Sequence, residues 1–475
     1  MSVATVASRS VRATAVRWGA RSALSAFAIA LAATLTIGLL EGKKPFYFDS
    51  GGYWELGETF TQHGHFSLLN FNSPLRGYLL PLINHLLRVL ALGLGWSFSF
   101  SVVLFNAFTF AAIGALLAPR LAEIVWPQQR WGLVRRLALT GALLVFWRGY
   151  LSYPLSDFPA LAMALVALIA IAVPDRPGSM LIGGLACAAA IEMRPAYLVL
   201  APLLAILVSW RWLELGGRED FPLARRALCL GLLVFGFALV ALPQSLATNR
   251  HFHSVSFIPG SVAHLTSLQL TEGLRLQRYE TFVGGGHPPR MLYTDPTGTR
   301  LLSEQKEQTI TGTGQYLGLV VSHPVTMAGL FLRHLVNGGD QRYDTPYVSQ
   351  LSTGSNRLLR IAGFALFFLA LVRIAWASAR RELGRARWRF AVALALCCAT
   401  SVPSAVEPRY LLPAFLLSYM LVLSPWPNPF RARLGARGLR QWSTLAALGV
   451  ALAVYAVIVI LVTSAASSNL TFGAV

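Results

Sequence analysis

Long apolar runs alternate with short basic connections along almost the whole chain. A membrane-crossing helix needs about 20 mostly apolar residues. On that criterion the pattern predicts about eleven spans, over 22–40, 97–118, 134–150, 156–173, 178–192, 195–213, 226–245, 357–376, 389–405, 409–425 and 442–463. The expected fold class is an all-α polytopic membrane protein.

Basic residues orient such a bundle, because loops rich in Lys and Arg stay on the cytoplasmic side. With the N-terminus inside, the inside loops hold Arg120, Arg130, Arg135 and Arg136, then Arg176, then Arg211, Arg218, Arg225 and Arg226. The next hold Arg373, Arg380, Arg381, Arg385, Arg387 and Arg389, and the last Arg431, Arg433, Arg437 and Arg440. Each inside connection is net basic or neutral. Eleven spans then place the C-terminus outside.

Composition agrees with this reading. Of the 475 residues 55% are hydrophobic and 13% charged, with a mean hydropathy of +0.56. Soluble domains carry about 25% charged residues. The formal charge of +20 does not indicate nucleic acid, because the basic residues lie between apolar segments rather than along one soluble surface. Cys187, Cys229, Cys397 and Cys398 all fall inside apolar segments and read as small buried hydrophobes. Arg9, Arg12, Arg17 and Arg21 precede a first apolar run too long for a signal-peptide core, so a retained first span is expected.

The expected organisation is a basic cytoplasmic tail at 1–21, a transmembrane core at 22–425, and a final inside loop, last helix and short outside tail at 426–475. Two outside segments, 41–96 and 246–356, are too long for plain connectors. The first predicts two interfacial helices, Tyr53–His63 and Leu79–Leu94, separated by the turn-rich Phe71–Tyr78. In the second, Gly284-Gly-Gly-His-Pro-Pro289 predicts a loop with hinge freedom, and His323-Pro324 starts a helix to about Val336.

The remaining polar residues gather on the outside. Phe46-Tyr-Phe-Asp49-Ser-Gly-Gly-Tyr53 follows the first span. The later outside turns carry Ser156-Asp157-Phe-Pro159, Glu192-Met-Arg194-Pro195 and Glu407-Pro-Arg409-Tyr410-Leu-Leu-Pro413. A carboxylate at a membrane face is costly and commonly functional. Asp49 and Asp157 also fit helix N-caps, and Arg194 and Arg409 fit interfacial side chains that reach for water. A phosphate-bearing substrate at the outer leaflet would suit these acids and arginines, since Arg grips phosphate bidentately and a carboxylate can act as general base. His63-Gly-His65 lacks the further ligands a metal needs, so no metal is expected.

In their order and shared side, Asp49, Ser156-Asp157-Phe-Pro-Ala, Met193-Arg194-Pro195 and Pro408-Arg409-Tyr410-Leu-Leu-Pro413 resemble the pattern of C-type (GT-C) glycosyltransferases. The resemblance covers about 40–425 and is strongest to the protein O-mannosyltransferase and lipid A aminoarabinose-transferase group. One departure stands out: Asp49 is followed by Ser50, where many relatives have a second acid. No Asp-X-Asp metal motif occurs, which argues against the metal-dependent oligosaccharyltransferase branch.

The resemblance implies a GT-C fold in the plasma membrane with its active site facing the extracytoplasmic side. It implies inverting transfer of a sugar from a polyprenyl-phosphate donor to a lipid, glycan or protein acceptor, without a cofactor. Asp49 would be the base and Asp157 a second catalytic-site acid anchoring the loop or a cation. Arg194, Arg409, Arg290 or Arg76 would hold the donor phosphate. Tyr53, Glu192, Glu407 and Tyr410 would contact acceptor or sugar. The alternative is a transporter or flippase of lipid-linked glycans, for which inverted repeats and mid-membrane charges would be expected.

Overall fold

The structure, a computed structural model, describes residues 3–127, 129–174, 176–215, 222–259, 261–305, 308–351, 353–379, 388–425 and 438–473. The expected inside arginines Arg218, Arg380, Arg381, Arg385, Arg387, Arg431, Arg433 and Arg437 lie outside the described residues. The chain is mostly helical. Among the described residues six helices are long and apolar enough to cross a membrane: Arg21–Leu40, Phe98–Val125, Pro195–Glu214, Leu223–Phe252, Gly354–Ser378 and Ala447–Ser468. These fit a multi-pass membrane protein and account for six of the eleven expected spans. The other five expected ranges also fall on helices, but on shorter ones, such as Leu133–Trp147, Asp157–Ile171 and Pro177–Met193. A 15-residue helix rises about 22 Å, against a hydrocarbon core of about 30 Å. Length alone therefore carries six spans, not eleven.

The chain divides into two compact units, 1–262 with 385–397, and 263–384 with 398–475. At the centre of the first lies Asp157–Ile171, buried on nearly every side. Phe158 stacks on Phe110 with ring centroids 3.9 Å apart. Pro177–Met193 packs against it and also against Leu223–Phe252. At that second crossing a Cβ on Gly184 would overlap the Leu233 carbonyl oxygen and sit 2.8 Å from the Phe237 nitrogen. Glycine thus lets two backbones touch, the usual way to bring membrane helices close. The loop leading into Asp157 is held by buried Asn106, whose Nδ2 donates towards the carbonyls of Tyr150, Leu151 and Tyr153 at 3.3, 3.1 and 2.9 Å.

The segment 41–96 differs from expectation. Leu79–Leu94 is a helix as expected. The helix expected over Tyr53–His63 instead runs Phe48–Leu56. Thr61–Gln62 and His65–Phe66 form a two-stranded hairpin. His63 and Gly64 both have positive φ, 50° and 78°, which suits the tight turn that matches strand twist.

The second unit holds a four-stranded sheet that the sequence reading did not anticipate. Its order is Tyr347–Val348, Leu276–Phe282, Arg290–Thr294, Leu470–Gly473. The central pair is an antiparallel hairpin with Tyr279 opposite Leu292. The glycine-rich loop closes this hairpin, and His287 stacks on Phe472 at 4.2 Å. Against the sheet lies a buried charge cluster. Arg278 Nε donates to Glu280 at 2.8 Å, and its Nη1 donates to the Asn337 carbonyl at 2.9 Å. Asp340, fully buried, faces Arg278 at 3.6 Å and Arg360 at 3.5 Å, and is bonded by Arg342. Burial pushes the Asp340 carboxyl up, but the neighbouring guanidinium groups, Arg278 first, outweigh it and hold the acid below its usual range.

A depressed folded-state pKa stabilises at pH values above the unfolded one, and that stability is lost as pH falls through the folded value. The second unit should therefore keep the Asp340 contribution down to about pH 4, near the unfolded value of an aspartate, and lose it in stronger acid. Asp340→Asn should remove it at every pH. Breaking a buried ion pair costs roughly 3–5 kcal/mol, and thermal unfolding of the detergent-extracted protein at pH 7 measures it. An unchanged midpoint would mean that the arginines are satisfied without the acid.

Candidate functional site

Asp49 lies in the first turn of Phe48–Leu56, with Tyr47 at the N-cap position. It is thus not the cap, though an acid in a first turn still meets the positive end of the helix dipole. The preceding Phe48 has φ 42°, a region that is costly for an aromatic residue and that collects at functional sites. A carboxylate oxygen of Asp49 accepts from Arg76 Nη2 at 2.6 Å. Arg76 Nη1 donates to the Tyr53 hydroxyl at 3.1 Å, and the guanidinium lies 4.8 Å from the Tyr53 ring centroid. The Tyr53 carbonyl accepts from buried Asn84 Nδ2 at 3.0 Å, which ties this helix to Leu79–Leu94. Three of the candidate residues, Asp49, Tyr53 and Arg76, therefore form one constellation, with both charged side chains about a third exposed (33% and 36%).

Asp157 is likewise not the cap of its helix; Ser156 stands there. Its buried carboxylate is ion-paired with Arg194, just past the end of Pro177–Met193. This pair joins the start of Asp157–Ile171 to the end of Pro177–Met193.

Gly77 joins the two groups. A Cβ there would overlap the Glu192 carbonyl oxygen and lie 2.8 Å from Glu192 Oε2. The chain carrying Arg76 thus runs directly over the turn carrying Glu192 and Arg194. Glu192 is 2% exposed, and neither carboxyl oxygen has a hydrogen-bond partner among the described residues. Its neighbour Tyr78 donates its hydroxyl to the Val240 carbonyl at 2.9 Å and its backbone N–H to Gln244 Oε1 at 3.0 Å. Burial pushes the Tyr78 phenol up, and the charge of Glu192 adds to the shift. Unsatisfied buried polar groups are rare, and a carboxyl with two open oxygens is suited to a hydroxyl-bearing ligand.

The second unit holds the other four candidates. Glu407 is buried and ion-paired with Arg409. Tyr410 shares a hydroxyl–hydroxyl hydrogen bond with Tyr279, and the Tyr279 N–H donates to the Val406 carbonyl at 3.2 Å. Burial, with the Glu407 charge next, pushes the Tyr279 phenol far up. Arg290 opens its strand, is exposed, and has no ion pair among the described residues. Tyr279, Gly77 and Asn84 were not singled out in the sequence. Their roles come from contacts with residues distant in the chain, and no local motif marks them.

Arg194 and Arg409 do not stand as unpartnered cations awaiting a phosphate, since each already holds an acid. A phosphate would add to these pairs or displace the acid. No protein-family profile matches the chain, and no curated protein matches it.

Gly77→Ala should strain the seam between the two groups. The added methyl must push either the Arg76 segment or the Glu192 turn aside, for which overpacking costs of about 1–3 kcal/mol are typical. Gly52 is the control, because a Cβ there meets nothing within 4 Å. Thermal unfolding of both variants should show a loss for Gly77→Ala and none for Gly52→Ala; equal midpoints would remove Gly77 from the site.

Proposed function

We propose that the protein is an inverting C-type glycosyltransferase of the plasma membrane. It moves a sugar from a polyprenyl-phosphate donor to an acceptor hydroxyl on the extracytoplasmic side. The observation that supports this most is the joining of Asp49–Arg76–Tyr53 to Asp157–Arg194 through Gly77 and Glu192. Three of the four motifs, together with the Phe71–Tyr78 turn, bring their polar residues to one region of the first unit.

In the proposed reaction a carboxylate oxygen of Asp49 takes the proton of the acceptor O–H. The acceptor oxygen forms a bond to the anomeric carbon from the face opposite the phosphate. The carbon–oxygen bond to phosphate breaks, and the polyprenyl phosphate leaves with the electron pair. Phosphate is a good leaving group, so one carboxylate suffices, unlike glycoside hydrolysis with its carboxyl pair. Arg76 holds the base in place through one oxygen and offers positive charge to the departing phosphate. Arg194, fixed by Asp157, is the second cation. Glu192 receives a sugar hydroxyl. In the second unit Arg409 and Arg290 are the phosphate candidates, and Glu407 and Tyr410 the sugar candidates. The topology that goes with this reading is eleven spans, N-terminus inside and C-terminus outside.

Two measurements test the proposal. Cell-envelope glycans of a deletion strain, read by mass spectrometry, should lack a decoration that the wild-type gene restores. Asp49→Asn should restore less than about a hundredth of it, within the range for losing a general base, while Gly52→Ala restores it fully. Full rescue by the Asn variant would reduce Asp49 to a partner for Arg76. For the topology, alkaline phosphatase fused after Ser468 should be active. An inactive enzyme there would sink the outside placement of the C-terminus.

A further inference from the structure

Between Gln308 and Leu332 the chain holds no Asp, Glu, Lys or Arg. The segment folds into two helices, Thr313–Ser322 and Pro324–Gly338, bent by 111° at His323. Together they are as apolar as the helices long enough to cross a membrane, but the bend breaks them into two pieces, neither of which is long enough to cross alone. Ten residues rise about 15 Å, half of a hydrocarbon core of about 30 Å, and the bend then turns the chain back.

The elbow is apolar on both sides. Its inner face, Tyr316, Leu319, Met327 and Leu330, packs into a buried cluster with Leu274 and Leu301. Its outer face exposes Leu317, Val321, Val325, Leu332 and Leu335, with Val321 at 80% and Val325 at 85% flanking the tip. A helix that is apolar all round belongs in a protein core or in lipid. The one guanidinium within it is turned away: Arg333 Nε donates to Asp295 at 2.6 Å.

Lipid requires polar groups to be satisfied within the chain, and three bonds at the turn do so. The Ser322 hydroxyl donates to the Gly318 carbonyl at 2.8 Å. The His323 N–H donates to the Leu319 carbonyl at 2.9 Å, and the Met327 N–H to the His323 carbonyl at 3.0 Å. Pro324 has no N–H to satisfy. Pro324–Gly338 packs on Gly438–Ser468, which contains a helix long and apolar enough to cross a membrane.

We infer that the His323 elbow is a membrane-dipping element whose Val321–Val325 tip is buried among lipid acyl chains of one leaflet. It seats the sheet of the second unit at the lipid surface, because its C-terminal end leads directly into Asp340 and the Arg278 cluster. The inference is independent of the chemistry proposed above.

Nitroxide labels at Val321→Cys and Val325→Cys test it in liposomes, with the exposed Ser303→Cys as control. The four native cysteines are buried. Collision with oxygen, which concentrates in lipid, is compared with collision with a water-soluble nickel chelate present on both sides. The logarithm of their ratio should be positive at 321 and 325 and negative at 303. Negative values at all three would place the tip in water and overturn the inference. Poor access to both reagents, with dipolar broadening that fades on dilution by unlabelled protein, would mean that a second copy covers the tip, and would overturn it equally.

Discussion

Charge in apolar surroundings must be neutralised where it stands, and most of the polar architecture of both units follows from that cost. An isolated buried ion is too expensive to keep, whereas a paired and hydrogen-bonded one is tolerable. Asp157 has Arg194, Glu407 has Arg409, and Asp295 has Arg333. Arg136 has Glu123 at 3.0 Å and the Ala115 carbonyl besides. Asp340 takes three arginines, and Arg278 in turn takes Glu280. Such pairs add little net stability over an apolar core, but losing one member leaves an uncompensated charge. They therefore fix geometry, holding turns and helix ends where motif residues sit.

Against that background Glu192 stands apart. It is as buried as Asp157, yet both its oxygens lack a hydrogen-bond partner among the described residues. The chain also gives up a side chain at Gly77 so that the Arg76 segment can lie on it. Close approach of backbone to an open acid does not improve packing for its own sake. A substrate hydroxyl supplied from outside would complete the carboxyl, which is the reason for giving Glu192 a sugar-binding role rather than a structural one.

How much of this was legible beforehand follows from which interactions are local. Hydrophobic runs are local, so the expected spans fell on helices, and six of these carry the membrane reading by length and composition. Leu79–Leu94 and the helix after His323-Pro324 were readable for the same reason. The polar residues of the motifs were identifiable, but their pairings were not. Arg194 meets an acid 37 positions away and Tyr279 a hydroxyl 131 positions away. Sequence spacing alone therefore suggested open phosphate ligands where the structure has ion pairs. The hairpin at His63-Gly64 was missed because its turn uses histidine where Asn or Asp would have signalled it.

The sheet was missed for a related reason. Leu276-Gln-Arg-Tyr-Glu-Thr-Phe282 alternates in burial only weakly, since Gln277, Arg278 and Glu280 are all buried. A strand whose inward positions are charged breaks the apolar–polar alternation by which strands are recognised. The cluster that hides the strand is the same one that needs it. Arg278 and Glu280 lie two apart, so the pleat sets them on one face, where Arg278 can bond Glu280 and Asp340 together. A helix would place them on different faces, since residues two apart do not meet there. Asp340 would then lose the partner that most holds its charge. The ion cluster and the sheet thus specify each other, and the apolar elbow before Asp340 decides where at the membrane the cluster is held.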